Sequence, residues 1–405
     1  MRRVYLDNAA TTPVDPRVLE AMMPFLRDSF GNASSIHYFG QQAKSAVDKA
    51  RHQVAALINS RPNEIVFTSG GTEANNLALR GLTRSHINSL KIRNITRNDQ
   101  TDAGICRPHA ITSQIEHPAV KNVCEDLEKQ GFDVTYLPVS SDGIVSVDNV
   151  ISAIREDTVL ISIMFANNEI GSIQPLSEIG RVVRDLRAHG KKIWLHTDAV
   201  QAVGKMSVDV EEIGCDLLSM SGHKLYAPKG IGALYVRRGT RLHPQNLGGR
   251  QERGMRGGTE PVPLIAALGA ACDIAGRELS EESARTVQLR NRMEQNILER
   301  VPDSFVNGSL DSRLPNISSV SFPGVEGEAL LINLDMQGVA VSTGSACSSG
   351  SVEPSPVIKA LGRDDRFARG TIRFSLGRMN TPEDIDRVLE ILPNTVQNLR
   401  KLYKN

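Results

Sequence analysis

An open α/β fold is predicted, with a mainly parallel seven-stranded sheet flanked by helices and a smaller α+β domain beside it. Three observations predict it. Seven short apolar runs recur through the first two-thirds of the 405-residue sequence. Several are continuously apolar and β-branched, the pattern of strands buried on both faces. Helical patterns fall between them, as crossovers between parallel strands require.

The runs are EIVFTS (64–69), HAITS (109–113), DVTYLPV (133–139), TVLISIMFA (158–166), KIWLHTDA (192–199), DLLSMS (216–221) and GALYVRR (232–238). Helical patterns cover 73–82, 117–130, 146–155 and 176–189. After about residue 275 the texture changes to a charged helical stretch near 279–301, followed by the strand-like NISSVSF (316–322) and TIRFSL (371–376). Further helices are expected near 326–336, 355–361 and 381–403. The expected division is a large domain, 15–275, and a small one made of 1–14 and 276–405. Residues 84–107 carry five Lys or Arg against two Asp with no clear period, and read as a solvated surface loop. A partner-docking role is the second reading of so long a connection.

Composition narrows the function. Charged residues make up 23% and the formal net charge is +1, so no nucleic-acid or acidic-membrane surface is indicated. Five scattered cysteines with no C-x-x-C pair argue against a disulfide scaffold or structural zinc and for a reducing compartment. No apolar run approaches a membrane span or a signal peptide, so a cytoplasmic protein is expected.

Four features carry chemistry. EIVFTSGGTEANNLALRGL is strand, Gly-rich turn and helix, in which Gly70 and Gly71 allow close backbone approach and the helix start offers N–H groups to an anion. Glu73 there also reads as part of a capping box. Lys224, in DLLSMSGHKLYAPKG, lies at a strand end, where ligands of open α/β sheets bind and where partial desolvation favours imine formation. Asp198 ends KIWLHTDA, as a helix N-cap or as the acceptor for a protonated pyridine nitrogen. His117 sits where a strand gives way to a helix, as a cap or as a ring stacked on a planar cofactor. Cys124, Cys215 and Cys272 read as small buried hydrophobes, whereas Cys347 lies in the Gly/Ser-rich TGSACSSGS.

In this order the motifs resemble a fold-type I, class V pyridoxal-phosphate enzyme, and most closely a group I cysteine desulfurase. The similar strings include YLDNAATTPVDPRV, GNASSIHYFG, ITSQIEHPAV, ANNEIGSIQP, HTDAVQAVGK, GGRQERGMRGGTEP and STGSACSSGSVEPSPV. The resemblance implies that Lys224 holds the cofactor as a Schiff base, Asp198 pairs with the ring nitrogen, His117 stacks on the ring and Gln201 bonds its hydroxyl. It assigns the phosphate to Gly71, Thr72, Ser221 and His223, with Thr259 reaching the neighbouring subunit of a homodimer. Asn168 and Arg373 would take the substrate carboxylate, and Arg suits this through two parallel hydrogen bonds.

The implied reaction converts L-cysteine to L-alanine. Lys224 removes the Cα proton, and the Cys347 thiolate takes the sulfur as a persulfide. Implied partners are sulfur acceptors such as an iron–sulfur scaffold, or a tRNA-thiolation carrier. No resident metal is implied, although Cys347 would transiently share a cluster with the scaffold. Asn8, Ala227 and the length of 84–107 depart from the usual pattern and bear on partners and substrate preference. The C-terminal VQNLRKLYKN is expected to bear on docking. A selenocysteine lyase of the same fold, and a non-catalytic assembly scaffold, are the alternatives.

Overall fold

The computed structural model describes residues 2–97, 107–344 and 354–402. The strand β1 (Val4–Tyr5) is followed by β2 (Ile65–Thr68), β3 (His109–Ser113), β4 (Asp133–Leu137), β5 (Thr158–Ser162), β6 (Trp194–Asp198), β7 (Leu217–Ser221) and β8 (Gly232–Val236). The last seven form one sheet in the order β2-β8-β7-β6-β5-β3-β4. All neighbours are parallel except β8, which runs antiparallel to both β2 and β7. The short Gly/Pro-containing connection between β7 and β8 explains that exception, since a parallel return needs a longer crossover.

Two buried histidines pin the sheet across its strands. His196 bridges the hydroxyls of Ser162 and Ser219 at 2.8 and 3.1 Å. His109 bridges Thr158 and Thr135 at 2.8 and 2.9 Å. Burial holds both imidazoles neutral, pushing His196 down to about 3 and His109 to about 4.

The strands β9 (Phe305–Val306), β10 (Ile317–Ser321), β11 (Val339–Ala340) and β12 (Thr371–Ser375) follow. The order β12-β10-β9 makes a small antiparallel sheet, and β11 pairs with β1 in parallel. Asp7 bridges to Ser375 and Ser342 to Arg373, so the N-terminal strip is stitched to this second sheet.

Two helices are longer than the sequence reading expected. The charged stretch near 279–301 is the second half of a helix spanning Val262–Arg300. Its first half, VPLIAALGAACDIAG, is apolar except for Asp273 and shows no clear amphipathic period, yet its Ala and Leu content favours helix. Ile265, Leu268 and Cys272 join the core of the large sheet, whereas Leu289, Met293 and Ile297 join the core of the small one. The 275/276 division therefore falls inside one continuous helix.

The surface-loop reading of 84–107 is also corrected. The helix that starts at Gly71 runs to Arg97. No Gly or Pro interrupts residues 82–97, and Leu79, Leu82, Thr83, His86 and Ile87 keep a helical spacing. His86 packs edge-on against Trp194 with ring centroids 5.7 Å apart. Residues 98–106 lie outside the described residues.

Linkage gives a pH prediction. His196, His109, His223 and His117 all have lowered pKa values in the fold, so the unfolded chain binds more protons below about pH 6.5. Buried Glu116, Glu169 and Asp216 have raised values and act in the opposite sense, three groups against four. Denaturant-derived stability is expected to fall as pH drops from about 6.5 to about 5. Stability that rises over that window would contradict the assignment of these histidines as neutral.

Candidate active site

The carboxyl ends of β2, β3, β5, β6 and β7 converge on one cavity of about 250 Å³. It is lined by Gly71, Thr72, His117, Asn168, Asp198, Gln201, Ser221, His223, Lys224 and Arg373, so ten of the predicted site residues meet in one place. Thr259 is not among them: it is solvent-exposed, in the loop that follows the short helical turn Gln251–Gly254. Cys347 lies outside the described residues, and Gly344, three positions before it, is in the cavity wall.

Lys224 closes a one-turn helix, Gly222–Lys224, that follows β7 directly. Its Nζ donates to the carbonyls of Ala9 and Ala10 at 2.6 and 2.5 Å. Gln201 Nε2 donates to the same Ala9 carbonyl at 3.0 Å. Asp198, the last residue of β6, is buried; its Oδ1 accepts from the Val200 amide at 3.0 Å and its Oδ2 from Asn75 Nδ2 at 2.7 Å. One oxygen thus serves the local turn and the other meets Asn75.

His117 caps the helix Pro118–Lys129, its Nδ1 accepting from the Ala119 amide at 3.1 Å. An accepting Nδ1 carries no proton, so the neutral ring holds its proton on Nε2. Burial lowers its pKa, against the pull of Asp198 and together with Lys224. His223 is pushed down to about 4 by burial and by Lys224 and Lys229. It meets the Thr11 hydroxyl at 3.2 Å.

The anion end is built from backbone. Gly70 has φ +154°, and a methyl group on Gly71 would lie 2.7 Å from Val200 Cγ2. The helix that starts at Gly71 directs its first N–H groups toward this end of the cavity, beside Ser221. Glu73 has the capping role expected of it: its carboxylate accepts from the Ser69 amide at 2.7 Å and pairs with Arg256 at 3.0 Å.

At the opposite end, Arg373 of β12 is buried. Its guanidinium donates to the Asn168 carbonyl at 2.8 Å and to Asp7 at 2.7 Å. Its Nε has no hydrogen-bond partner among the described residues.

Asn75 escaped the sequence reading. It lies one helical turn after Gly71, on the face turned to Asp198, and i,i+4 spacing could have flagged it. Its Oδ1 is buried without a partner among the described residues. The carbonyls of Ala9 and Ala10 gave no signal, because backbone acceptors have none in side-chain identity. The thiols of Cys124, Cys215 and Cys272 are buried and raised in pKa, as expected of core residues. Among the described residues, no group of His, Cys, Asp or Glu could hold a metal, and no helix is long and apolar enough to cross a membrane.

Comparison with known proteins decides the family. The profile of the Aminotransferase class-V family matches residues 4–388. A cysteine desulfurase IscS of Dictyoglomus turgidum is 46% identical over 401 residues, covering 99% of this chain and 96% of the relative. This chain belongs to the class V aminotransferase family, among the cysteine desulfurases. The cysteine desulfurase of Homo sapiens is 45% identical, covering 99% of this chain and 83% of the relative. A solved NifS-like protein superposes with TM-score 0.87 at 37% identity, covering 98% and 100% of the two chains. SspA, solved in complex with cysteine, is 39% identical with TM-score 0.77, covering 92% of this chain and 98% of that one.

Enzymes of this family depend on pyridoxal phosphate, and the cavity fits it. It offers an amine at Lys224, a buried carboxylate at Asp198 and a glycine-built anion cradle at Gly71. The unpartnered Asn75 Oδ1 lies beside the carboxylate. Gly71→Ala would crowd the cradle, and Asn75→Ala would remove one of the donors to Asp198. Each is expected to weaken cofactor retention by about tenfold, the scale of one buried polar contact. Visible absorbance during titration with pyridoxal phosphate measures it, and unchanged retention in both variants would contradict the site.

Proposed function

We propose that this chain is a pyridoxal-phosphate-dependent cysteine desulfurase that leaves the sulfur of L-cysteine as a persulfide on Cys347. One observation carries the reading: Lys224, Asp198 and Arg373 meet in a cavity whose wall includes Gly344, three positions before that cysteine. The complex of the relative SspA with cysteine agrees with this choice of substrate.

Pyridoxal phosphate, when bound, supplies the electron sink that makes loss of the Cα proton feasible. The chain's residues do the rest. Asp198 would hold the ring nitrogen protonated, His117 would lie against the ring and Gln201 would meet the ring hydroxyl. Gly71, Thr72, Ser221 and His223 would hold the phosphate. Arg373 and the Asn168 side chain would take the substrate carboxylate, which fixes the Cα–H bond toward Lys224. Released from the carbonyls of Ala9 and Ala10, the Lys224 amine holds and moves the Cα proton.

The Cys347 thiolate attacks the substrate sulfur and the Cβ–S bond breaks. The sulfur stays on Cys347, and the carbon fragment takes up protons and leaves as L-alanine. No external oxidant or reductant enters this balance.

Thr259, exposed on its loop, is assigned to the cavity of a second copy in a homodimer. The sulfur then passes to acceptor proteins, an iron–sulfur scaffold first among them, in the cytoplasm. The domain division at 15–275 rests on the change of core membership along the helix Val262–Arg300.

Mass spectrometry after treatment with L-cysteine is expected to show one added sulfur on Cys347. Cys347→Ala is expected to lose alanine formation about 100-fold or more, as loss of a nucleophile does. Wild-type alanine production by that variant would overturn the assignment. So would turnover of selenocysteine with rejection of cysteine.

A further inference from the structure

Glu169 sits in the turn Asn167–Gly171, beside the cavity residue Asn168, and its side chain takes no part in the chemistry described above. It is buried, a costly place for a carboxyl group. Its Oε2 accepts a hydrogen bond from the Ser355 hydroxyl at 2.6 Å. That hydroxyl in turn accepts from the amides of Val357 and Ile358, which caps the helix Pro356–Ala360. On its other side Glu169 meets Gly344, where a methyl group would lie 2.9 Å from the same Oε2 and where φ is +81°. Only glycine fits there comfortably, on both counts.

One carboxyl group therefore contacts the last described residue before 345–353 and the second described residue after it. The turn that carries Glu169 is itself fixed. Asn167 Oδ1 accepts from the Glu169 and Ile170 amides at 2.8 and 3.0 Å. Ile170 packs with Val357, Ile358 and Leu361 in a separate apolar cluster. The Asn168 carbonyl meanwhile accepts from Arg373. The anchor points on either side of Cys347 and the proposed carboxylate-binding pair thus share a single rigid turn.

We infer that Glu169 is a positioning residue for sulfur transfer: it fixes Gly344 and Ser355 relative to Asn168 and Arg373, and so sets where the segment bearing Cys347 starts and ends against the bound substrate. This inference rests on the desulfurase reading above. Burial raises the Glu169 pKa, against the Ser355 hydrogen bond and the Arg373 charge; glutamine keeps an oxygen that can accept from Ser355.

The test separates substrate binding from sulfur transfer in the cofactor-loaded enzyme. Rapid mixing with L-cysteine is followed by visible absorbance for binding and by quenched mass spectrometry for the Cys347 persulfide. Glu169→Ala is expected to slow persulfide formation by about tenfold, the scale of one lost buried hydrogen bond, with the absorbance change at wild-type amplitude and concentration dependence. Glu169→Gln is expected to restore the rate to within about threefold, because it still accepts from Ser355.

If Glu169→Ala does not fold, Ser355→Ala against Ser355→Thr poses the same question, since only threonine keeps the hydroxyl. Persulfide formation at the wild-type rate in the alanine variants overturns the inference. So does a parallel loss of substrate binding, or failure of the conservative variants to rescue. A wild-type enzyme that forms no Cys347 persulfide overturns the desulfurase reading instead, so the two failures are distinguishable.

Discussion

The contact between the Lys224 ammonium and the carbonyls of Ala9 and Ala10 joins the two ends of the architecture. Lys224 belongs to the large sheet, just after β7, whereas the N-terminal strip includes β1, paired with β11, and Asp7, bridged to Ser375 of the small sheet. Around this contact the strip is laced to the same turn. The Thr12 amide and hydroxyl both donate to the His223 carbonyl, the Tyr226 amide donates to the Thr12 hydroxyl, and the Asp15 amide donates to the Tyr226 carbonyl. The cavity has a defined wall on this side because these backbone groups are satisfied by the turn that presents the lysine. A neutral carbonyl holds an amine less strongly than a carboxylate would, so exchanging these two contacts for a covalent partner costs correspondingly less.

Around the cavity the polar side chains divide their bonding capacity between the fold and a ligand. Asp198 uses one oxygen in its own turn and the other on Asn75. Arg373 donates to Asn168 and Asp7 yet keeps an unpartnered Nε among the described residues. Asn75 Oδ1 is in the same condition. Buried polar atoms are ordinarily paired, and here two of the exceptions belong to residues lining one cavity of about 250 Å³. Both atoms are left for a polar partner other than the described residues.

Much of this was legible in the sequence because strand-end positions are read from periodicity and turn chemistry. Each of the seven apolar runs contains a strand of the predicted sheet, and the residues just after β2, β3, β6 and β7 include the ones that carry chemistry. What the sequence hides follows a different physical logic. Asn75 and Glu169 act on other protein groups, and a sequence does not mark such contacts across long separations. The helix to Arg97 and the early start at Val262 are concealed because the polar and basic run after Ile87 and the mostly apolar run 262–276 both lack a clear 3.6-residue period. Thr259 was named by resemblance alone, and its exposed position gives it no contact with the cavity in a single chain.

Two lysines, Lys205 buried and Lys224 half-buried, provide a discriminating measurement. Lys205 is more deeply buried than Lys224, lies 4.5 Å from the centre of the Tyr226 ring, and has its pKa pushed down to about 8 by burial, with Glu282 opposing and Arg378 assisting. By acidity alone Lys205 is a credible imine former, but it lies outside the cavity that holds Asp198 and Gly71. Borohydride reduction of the protein loaded with pyridoxal phosphate, followed by peptide mapping, tells them apart. A single pyridoxyl group on Lys224 is the expected result. A modification on Lys205, or none on Lys224, would contradict the placement of the cofactor.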